Sequence, residues 1–378
     1  MKVVVDENII FAEEAFAEFD SPYLINGRSI TNKVLLDADV LIVRSITEVD
    51  ENLLRNTPVK FVGTATIGTD HIDIEYLLQN KINFADAKGC NADSVAEYVF
   101  TALLKIAVDE KISLSQISIG IVGVGNIGSR VAKLAEVLGM KVLINDPPKE
   151  RAGIGSGYVP LDEILKADII SLHVPLNKAG IDKTVHLLND QNLKKIKRGG
   201  IIINTSRGPV SDNNALLNET KTKHFKLILD VWENEPDINI DLLKITKIGT
   251  AHIAGYSLEG KTNGTKIIYN SLCKNLNKKP VWEPLLKKTG ETTLSIEPGE
   301  TIEEKLYHLF SSIYNIERDD KKLKGIYNQG TYKIKEHFDN LRKEYAVRRE
   351  FSNYTITLPR NYLKLKPILE AFRFKVKC

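Results

Sequence analysis

Residues 117–148 read ISIGIVGVGNIGSRVAKLAEVLGMKVLINDPP, and the order of residue types within them decides the fold. SIGIVG is an apolar run suited to a buried strand. SRVAKLAEVLG carries apolar residues at helical spacing and stops at Gly139, and KVLIND is a second strand. Between the first strand and the helix stand Gly123, Gly125 and Gly128, spaced GxGxxG. In that context the first glycine permits a tight turn, the second lets a pyrophosphate approach the backbone, and the third lets helix and strand pack closely. The helix start then offers unpaired N–H groups and a positive dipole end to phosphates. Asp146 closes the second strand, where a carboxylate accepts from a ribose hydroxyl and repels a 2′-phosphate. The spacing therefore predicts NAD rather than NADP. A glycine-rich turn with no ligand is the bland alternative, and the aspartate and both flanking strands weigh against it.

Working outward, strand-like runs recur at 168–173 (DIISLH), 200–205 (GIIINT), 227–231 (LILDV) and 246–249 (TKIG). Upstream, 2–5, 39–45 and 59–63 are short apolar runs separated by helical patterns such as FAEEAFAEF. Strands alternating with helices predict parallel βαβ units and an α/β fold, with a Rossmann-type doubly wound sheet as the cofactor domain. DSVAEYVFTALLKIAV at 93–108 reads as a long helix with Asp93 as N-cap, leaving the first domain. Residues 258–278 form a second helix that could return to it. After KKPVWEP the composition shifts to charged helices and short strands such as TTLSIE and FRFKV, which predicts a small α+β module. The expected domains are thus 1–95 with 258–285, then 96–257, then 286–378.

Composition narrows the class of protein. Over 378 residues the hydrophobic share is 43% and the charged share 27%, with a formal net charge of +3. That is ordinary for a folded soluble protein and far from a disordered one. Basic runs at 194–198 (KKIKR) and 321–324 (KKLK) lack aromatic interleaving or a nucleic-acid motif and read as solvated faces, so no nucleic-acid partner is expected. Cys90, Cys273 and Cys378 are widely spaced with no CxxC, which argues for a reducing compartment and against a disulfide framework or zinc site. The start MKVVVDENII lacks the apolar region of a signal peptide, and no apolar stretch is long enough to span a bilayer. A cytoplasmic protein without a membrane partner is expected.

Three stretches lie at the exits of predicted strands, where open α/β sheets bind ligands. NTSRGPV holds Arg207, LDVWENEP holds Asp230 and Glu235, and TAHIAGYSLEGK holds His252. Singly, each has an ordinary structural reading: a surface salt bridge, an acidic turn before Pro236, a packed histidine. Together they suit the oxidation of a 2-hydroxy acid. His252 could take the hydroxyl proton, since the imidazole is the side chain whose ordinary pKa lies near neutrality. Glu235 would orient the ring and stabilise the imidazolium. Arg207 could bind the carboxylate in a forked pair and polarise the C2 oxygen.

With these residues the chain resembles the D-isomer-specific 2-hydroxyacid dehydrogenases across about 280 residues, Arg207, Glu235 and His252 falling on the family's catalytic Arg, Glu and His. Further stretches point to a branch acting on a small phosphorylated hydroxy acid: VRSITEV (43–49), GTATIGTDHID (63–73), GCNADSVAEYV (89–99), HIAGYSLEGK (252–261) and VRREF (347–351). The resemblance implies a discontinuous flavodoxin-like substrate domain and a C-terminal dimerisation domain that makes a homodimer. It also implies substrate contacts at Ser45, Thr66 and Tyr256. Cofactor contacts fall at Asn126, Ile127, Asp146, Pro175, Ser206, Asp230 and Gly255, beside the three loop glycines. HVPL departs from the related HTPLT pattern: Val174 and Asn177 replace threonines. Pro209 and Ser211 vary the stretch after Arg207 without removing a catalytic group. The triad leaves a substrate phosphate unbound, and Arg44, Arg348 and Arg349 are candidate ligands for it, the last two reaching from the partner if the C-terminal module forms the dimer. Two rivals stand beside this reading. Phosphoglycerate dehydrogenase shares the triad but is disfavoured by GYSLEGK, VRREF and the lack of an obvious regulatory tail. An NAD-sensing corepressor-like protein would carry extra peptide-binding segments. Formate dehydrogenase pairs its histidine with glutamine and fits less well.

Overall fold

The computed structural model describes residues 1–286, 292–328 and 333–378. The chain divides into two compact units: Met1–Asn91 with the segment that starts at Ser257, and Ala92–Tyr256 with the C-terminal segment ending at Cys378. The boundary expected at 285/286 abuts residues outside the described ones.

The first unit is built on a parallel five-stranded sheet of β1 (Val3–Asp6), β2 (Tyr23–Ile25), β3 (Val40–Val43), β4 (Phe61–Thr64) and β5 (Asn83–Asp86), in the order β2-β1-β3-β4-β5. This is the flavodoxin-like order. β1, β3 and β4 are buried at every position, as their unbroken apolar character requires of central parallel strands. The edge strands β2 and β5 are short, partly exposed and partly polar, so periodicity did not reveal them. Helix Leu258–Asn275 sets Ile268, Leu272 and Cys273 into the core with Val3, Phe16 and Phe61. That burial draws the chain back into this unit.

In the second unit, six parallel strands are ordered β11-β10-β9-β8-β6-β7: β6 (Ser118–Val122), β7 (Lys141–Asn145), β8 (Ile169–Leu172), β9 (Ile201–Asn204), β10 (Lys226–Leu229) and β11 (Ile248–Gly249). Tyr158 bridges Ile144 of β7 in parallel, a remnant of a further strand. The order reverses between β6 and β8, the crevice where doubly wound sheets bind ligands.

The C-terminal segment adds a parallel sheet of β12 (Thr293–Ser295), β13 (Thr355–Thr357) and β14 (Lys375–Lys377). The composition shift near 286 predicts a separate module, yet this segment shares one compact unit with the cofactor sheet. Its aromatic residues explain why. Phe372 meets Phe100 of the long helix edge-on at 5.3 Å, and Phe310 packs 4.8 Å from Phe372 and 4.6 Å from Phe351, in one core with Val99 and Leu103. That helix spans Ala92–Asp109, so Asp93 sits in its first turn rather than capping it. The Asp93 carboxylate instead pairs with Arg130 at 2.6 Å and Arg373 at 2.7 Å.

Candidate active site

The glycine turn joins β6 to helix Asn126–Val137. Gly123 has φ +86°, and a Cβ on Gly128 would land on the Gly123 carbonyl oxygen, so turn and helix close only with glycine there. Gly125 differs: nothing lies within 4 Å of where its Cβ would stand. Among the described residues no side chain caps the helix that begins at Asn126, which leaves the N–H groups of its first turn for a ligand. The Asp146 carboxylate is fixed at the lip of this turn, accepting from Val124 N at 2.8 Å and Lys149 N at 3.1 Å. An open backbone cradle, an uncapped helix start and a carboxylate beside them fit a dinucleotide. Beyond β8, the Thr184 hydroxyl donates to Pro175 O at 2.6 Å and accepts from Asn177 N. The Asn177 side chain donates to Asp182 O and so closes its own loop. Ser206 donates through N and Oγ to Asn204 Oδ1 at 3.0 and 2.8 Å.

Arg207, Asp230 and His252 follow β9, β10 and β11, at one end of the sheet. A Cβ on Gly208 would collide with the Trp232 carbonyl, so the Arg207 loop rests directly on the loop that carries Glu235. Glu235 Oε1 accepts from Trp232 N at 2.7 Å, and Oε2 pairs with His252 Nδ1 at 2.7 Å. A carboxylate at Nδ1 favours the tautomer that carries its proton there and leaves the Nε2 lone pair able to accept one. His252 takes φ +55°, a left-handed conformation that costs energy for a side-chain-bearing residue and persists only when its surroundings impose it. Asp230 imposes it. Its carbonyl accepts from His252 N at 2.8 Å, and its carboxylate accepts from the Thr250 hydroxyl at 2.6 Å, Ile253 N at 2.7 Å and Ala254 N at 2.9 Å. Asp230, expected as a cofactor contact, thus has both carboxylate oxygens engaged in shaping the His252 loop. Burial drives its pKa up, against the His252 charge and these donors. Gly255 and Tyr256 continue the loop.

Burial also pushes Glu235 upward, but the His252 charge, the His252 and Trp232 hydrogen bonds and the Arg342 guanidinium outweigh it, and its carboxyl lies below the ordinary value. A depressed carboxyl pKa stabilises the fold above its unfolded value and loses that contribution as pH falls through the folded one. We therefore expect Glu235→Gln to lower the melting temperature most near neutrality, with the gap from wild type closing below about pH 4. Melting curves across pH check this; a constant gap contradicts it. His173, at the exit of β8, is no competing base, because burial lowers its pKa to about 3.

The remaining candidates fall in both units. In the first, Ser45 is exposed, and the Thr66 hydroxyl lies 2.8 Å from that of Thr64, which itself reaches His71 Nε2 at 3.1 Å. Arg44 forks onto the buried Asp6 at 3.0 and 3.3 Å. In the second, Arg348 corrects the expectation that it reaches a substrate phosphate. It is 6% exposed, donates to the carbonyls of Ser94 and Ala254, and stacks 4.4 Å over Tyr314. Its charge is turned inward on its own chain, behind the His252 loop. Arg349 donates to Asn353 Oδ1 at 2.7 Å. The arginine that does reach the site is one that sequence reasoning missed: Arg342 lies 5.8 Å over the ring of Tyr256. Among the described residues, no cluster of three His, Cys, Asp or Glu could hold a metal.

Comparison with known proteins agrees with this arrangement. Residues 105–254 match the model of the D-isomer specific 2-hydroxyacid dehydrogenase NAD binding domain, and residues 285–367 match a domain of unknown function. The chain is 44% identical to erythronate-4-phosphate dehydrogenase of Proteus mirabilis over 360 residues, 94% of each chain. It is 44% identical to that of Tolumonas auensis over 367 residues, 96% of each. Among solved structures it resembles D-lactate dehydrogenase of Aquifex aeolicus complexed with NAD and lactic acid, with TM-score 0.60 and 26% identity over 73% of this chain and 96% of that one. It also resembles NAD⁺-bound 3-phosphoglycerate dehydrogenase of Entamoeba histolytica, with TM-score 0.62 and 26% identity over 73% and 95%.

Proposed function

The chain belongs to the erythronate-4-phosphate dehydrogenase family and is an NAD-dependent 2-hydroxyacid dehydrogenase, and from that premise we propose that it oxidises 4-phospho-D-erythronate at C2. The product is 2-oxo-3-hydroxy-4-phosphobutanoate, and we assign the reaction to the synthesis of pyridoxal 5′-phosphate, vitamin B6. The observation that carries the chemistry is the His252 Nδ1–Glu235 pair at 2.7 Å, with the Glu235 loop close against Gly208, the neighbour of Arg207.

Arg207 binds the substrate carboxylate and draws electron density from the C2 oxygen. His252 Nε2 takes the C2 hydroxyl proton, and Glu235 stabilises the imidazolium that results. NAD, when bound, supplies the hydride acceptor. Gly123, Gly125, Asn126, Ile127 and Gly128 would hold its pyrophosphate, and Asp146 its ribose hydroxyls. Pro175, Ser206 and Gly255 line the remainder, and Ser45, Thr66 and Tyr256 contact the substrate. Substrate deuterated at C2 tests the reaction: deuterium recovered in the reduced nicotinamide supports it, whereas deuterium lost to water, or no turnover, overturns it.

Asp146→Ala is expected to weaken NAD binding by roughly 1.5–3 kcal/mol, the usual contribution of a hydrogen bond to a charged group, and to narrow the preference over NADP. Titration with both nucleotides measures this; an unchanged preference removes Asp146 from the role.

The protein acts in the cytoplasm as a homodimer joined through its C-terminal segment. Val347, 75% exposed, and Leu363 are apolar side chains suited to that interface, and the free cysteines Cys90, Cys273 and Cys378 suit a reducing compartment. Sedimentation at the mass of one chain, 42.4 kDa, removes the dimer.

A further inference from the structure

The proposed substrate carries a terminal phosphate, and Arg207, Glu235 and His252 provide nothing for it. Of the three cations that the sequence offers, Arg44 is forked onto Asp6 and Arg348 is buried on carbonyls, while Arg349 holds Asn353. Arg342 is placed differently. It ends helix Ile334–Lys343 of the C-terminal segment, in the same compact unit as the catalytic loop. Its guanidinium lies over Tyr256, and the charge of Glu235 acts on it. Tyr345, one turn further on, packs edge-on against the same Tyr256 ring at 5.8 Å. Arg342 donates a hydrogen bond to Tyr256, and among the described residues its Nε, like Nε and Nη1 of Arg348, is buried with no hydrogen-bond partner. A buried, permanently charged donor left unsatisfied is costly unless a ligand completes it. Glu235 acts on this cation through its charge, while its two oxygens accept from Trp232 and His252.

We propose that Arg342 is the anchor for the substrate's terminal phosphate, carried to the catalytic loop by the C-terminal segment and steadied on Tyr256. This rests on the reading of the enzyme as acting on a phosphorylated hydroxy acid. A guanidinium matches a phosphate through two parallel N–H donors, whereas a lysine at the same place offers a single point charge. The C-terminal segment thereby sets substrate choice: it favours a 2-hydroxy acid ending in a dianion over the same acid ending in a hydroxyl.

The test compares kcat/KM for 4-phospho-D-erythronate and for unphosphorylated D-erythronate in the full-length wild type, Arg342→Ala and Arg342→Lys, with NAD affinity and melting temperature alongside. The ratio of the two kcat/KM values is expected to fall about 10- to 150-fold in Arg342→Ala, chiefly through KM for the phosphorylated acid, and by less in Arg342→Lys. Inorganic phosphate, competitive with substrate in the wild type, should lose potency in parallel. Equal losses on both acids, or an altered pH–rate profile with the ratio preserved, would show that Arg342 only positions Glu235 and overturn the assignment. If Arg342→Ala does not fold, Arg342→Lys decides: an unchanged ratio there overturns the proposal as well. A wild type that oxidises neither acid refutes the function itself, an outcome distinct from failure of the Arg342 assignment.

Discussion

Replacing His252 with alanine is expected to lower kcat about 10²- to 10⁴-fold while NAD still binds, because in the proposed reaction the side chain moves a proton and holds no part of the cofactor. The geometry makes this more than a generic expectation. The imidazole is held through Nδ1 by Glu235, and its side chain remains 34% exposed, so little apolar packing is lost with it. A histidine kept for core packing would lose stability instead. Circular dichroism and melting temperature close to wild type, with NAD affinity retained and turnover gone, is the expected result. Retained turnover, or collapse of the fold, contradicts the role.

Asp230→Ala produces the second large effect, on stability first and activity in consequence. The substitution strips acceptors from Ile253 N and Ala254 N, both buried, and from the Thr250 hydroxyl, which can still turn to Tyr98 OH at 2.7 Å. Two orphaned N–H groups at roughly 1–3 kcal/mol each amount to about 2–6 kcal/mol, a large share of the 5–15 kcal/mol that typically separates folded from unfolded. The left-handed His252 backbone loses its support at the same time. A drop in melting temperature of at least several degrees, with residual activity far below wild type even at low temperature, is expected. Asp230→Asn keeps one acceptor and should fall between. An Asp230→Ala protein that melts with the wild type would show that the carboxylate does not shape the loop.

Much of this was legible in the residues because the physics is local. GxGxxG between an apolar strand and an amphipathic helix fixes a turn, and the continuous apolar runs of β3, β8 and β9 have no stable place except inside a parallel sheet. The edge strand β2 and the central strand β13 were not legible, since each is three residues long and gains its identity from neighbours distant in sequence. Nor could sequence alone decide which acid meets which imidazole. Glu233 and Glu235 stand two residues apart, and the fold gives Glu233 to His186 at 2.6 Å and Glu235 to His252. The C-terminal segment forms the small sheet that its composition predicts, but its attachment to the cofactor unit was not legible. Its charged composition reads as an independent module, while the few aromatic residues that weld it to helix Ala92–Asp109 are scattered over some sixty positions. Arg348 and Arg342 exchange roles on the same account: which of them turns onto backbone carbonyls and which onto Tyr256 depends on contacts across the fold, and a doublet in VRREF draws more notice than a lone arginine in a charged helix.

Oxidation of a four-carbon, phosphate-ended 2-hydroxy acid with NAD is the reading from which the other expectations follow. Its most direct test is the ratio of kcat/KM for 4-phospho-D-erythronate to that for D-3-phosphoglycerate, both measured with NAD on the wild type. Efficient turnover of the first and a ratio well above one are expected. A ratio at or below one would contradict it and reassign the substrate to the shorter acid.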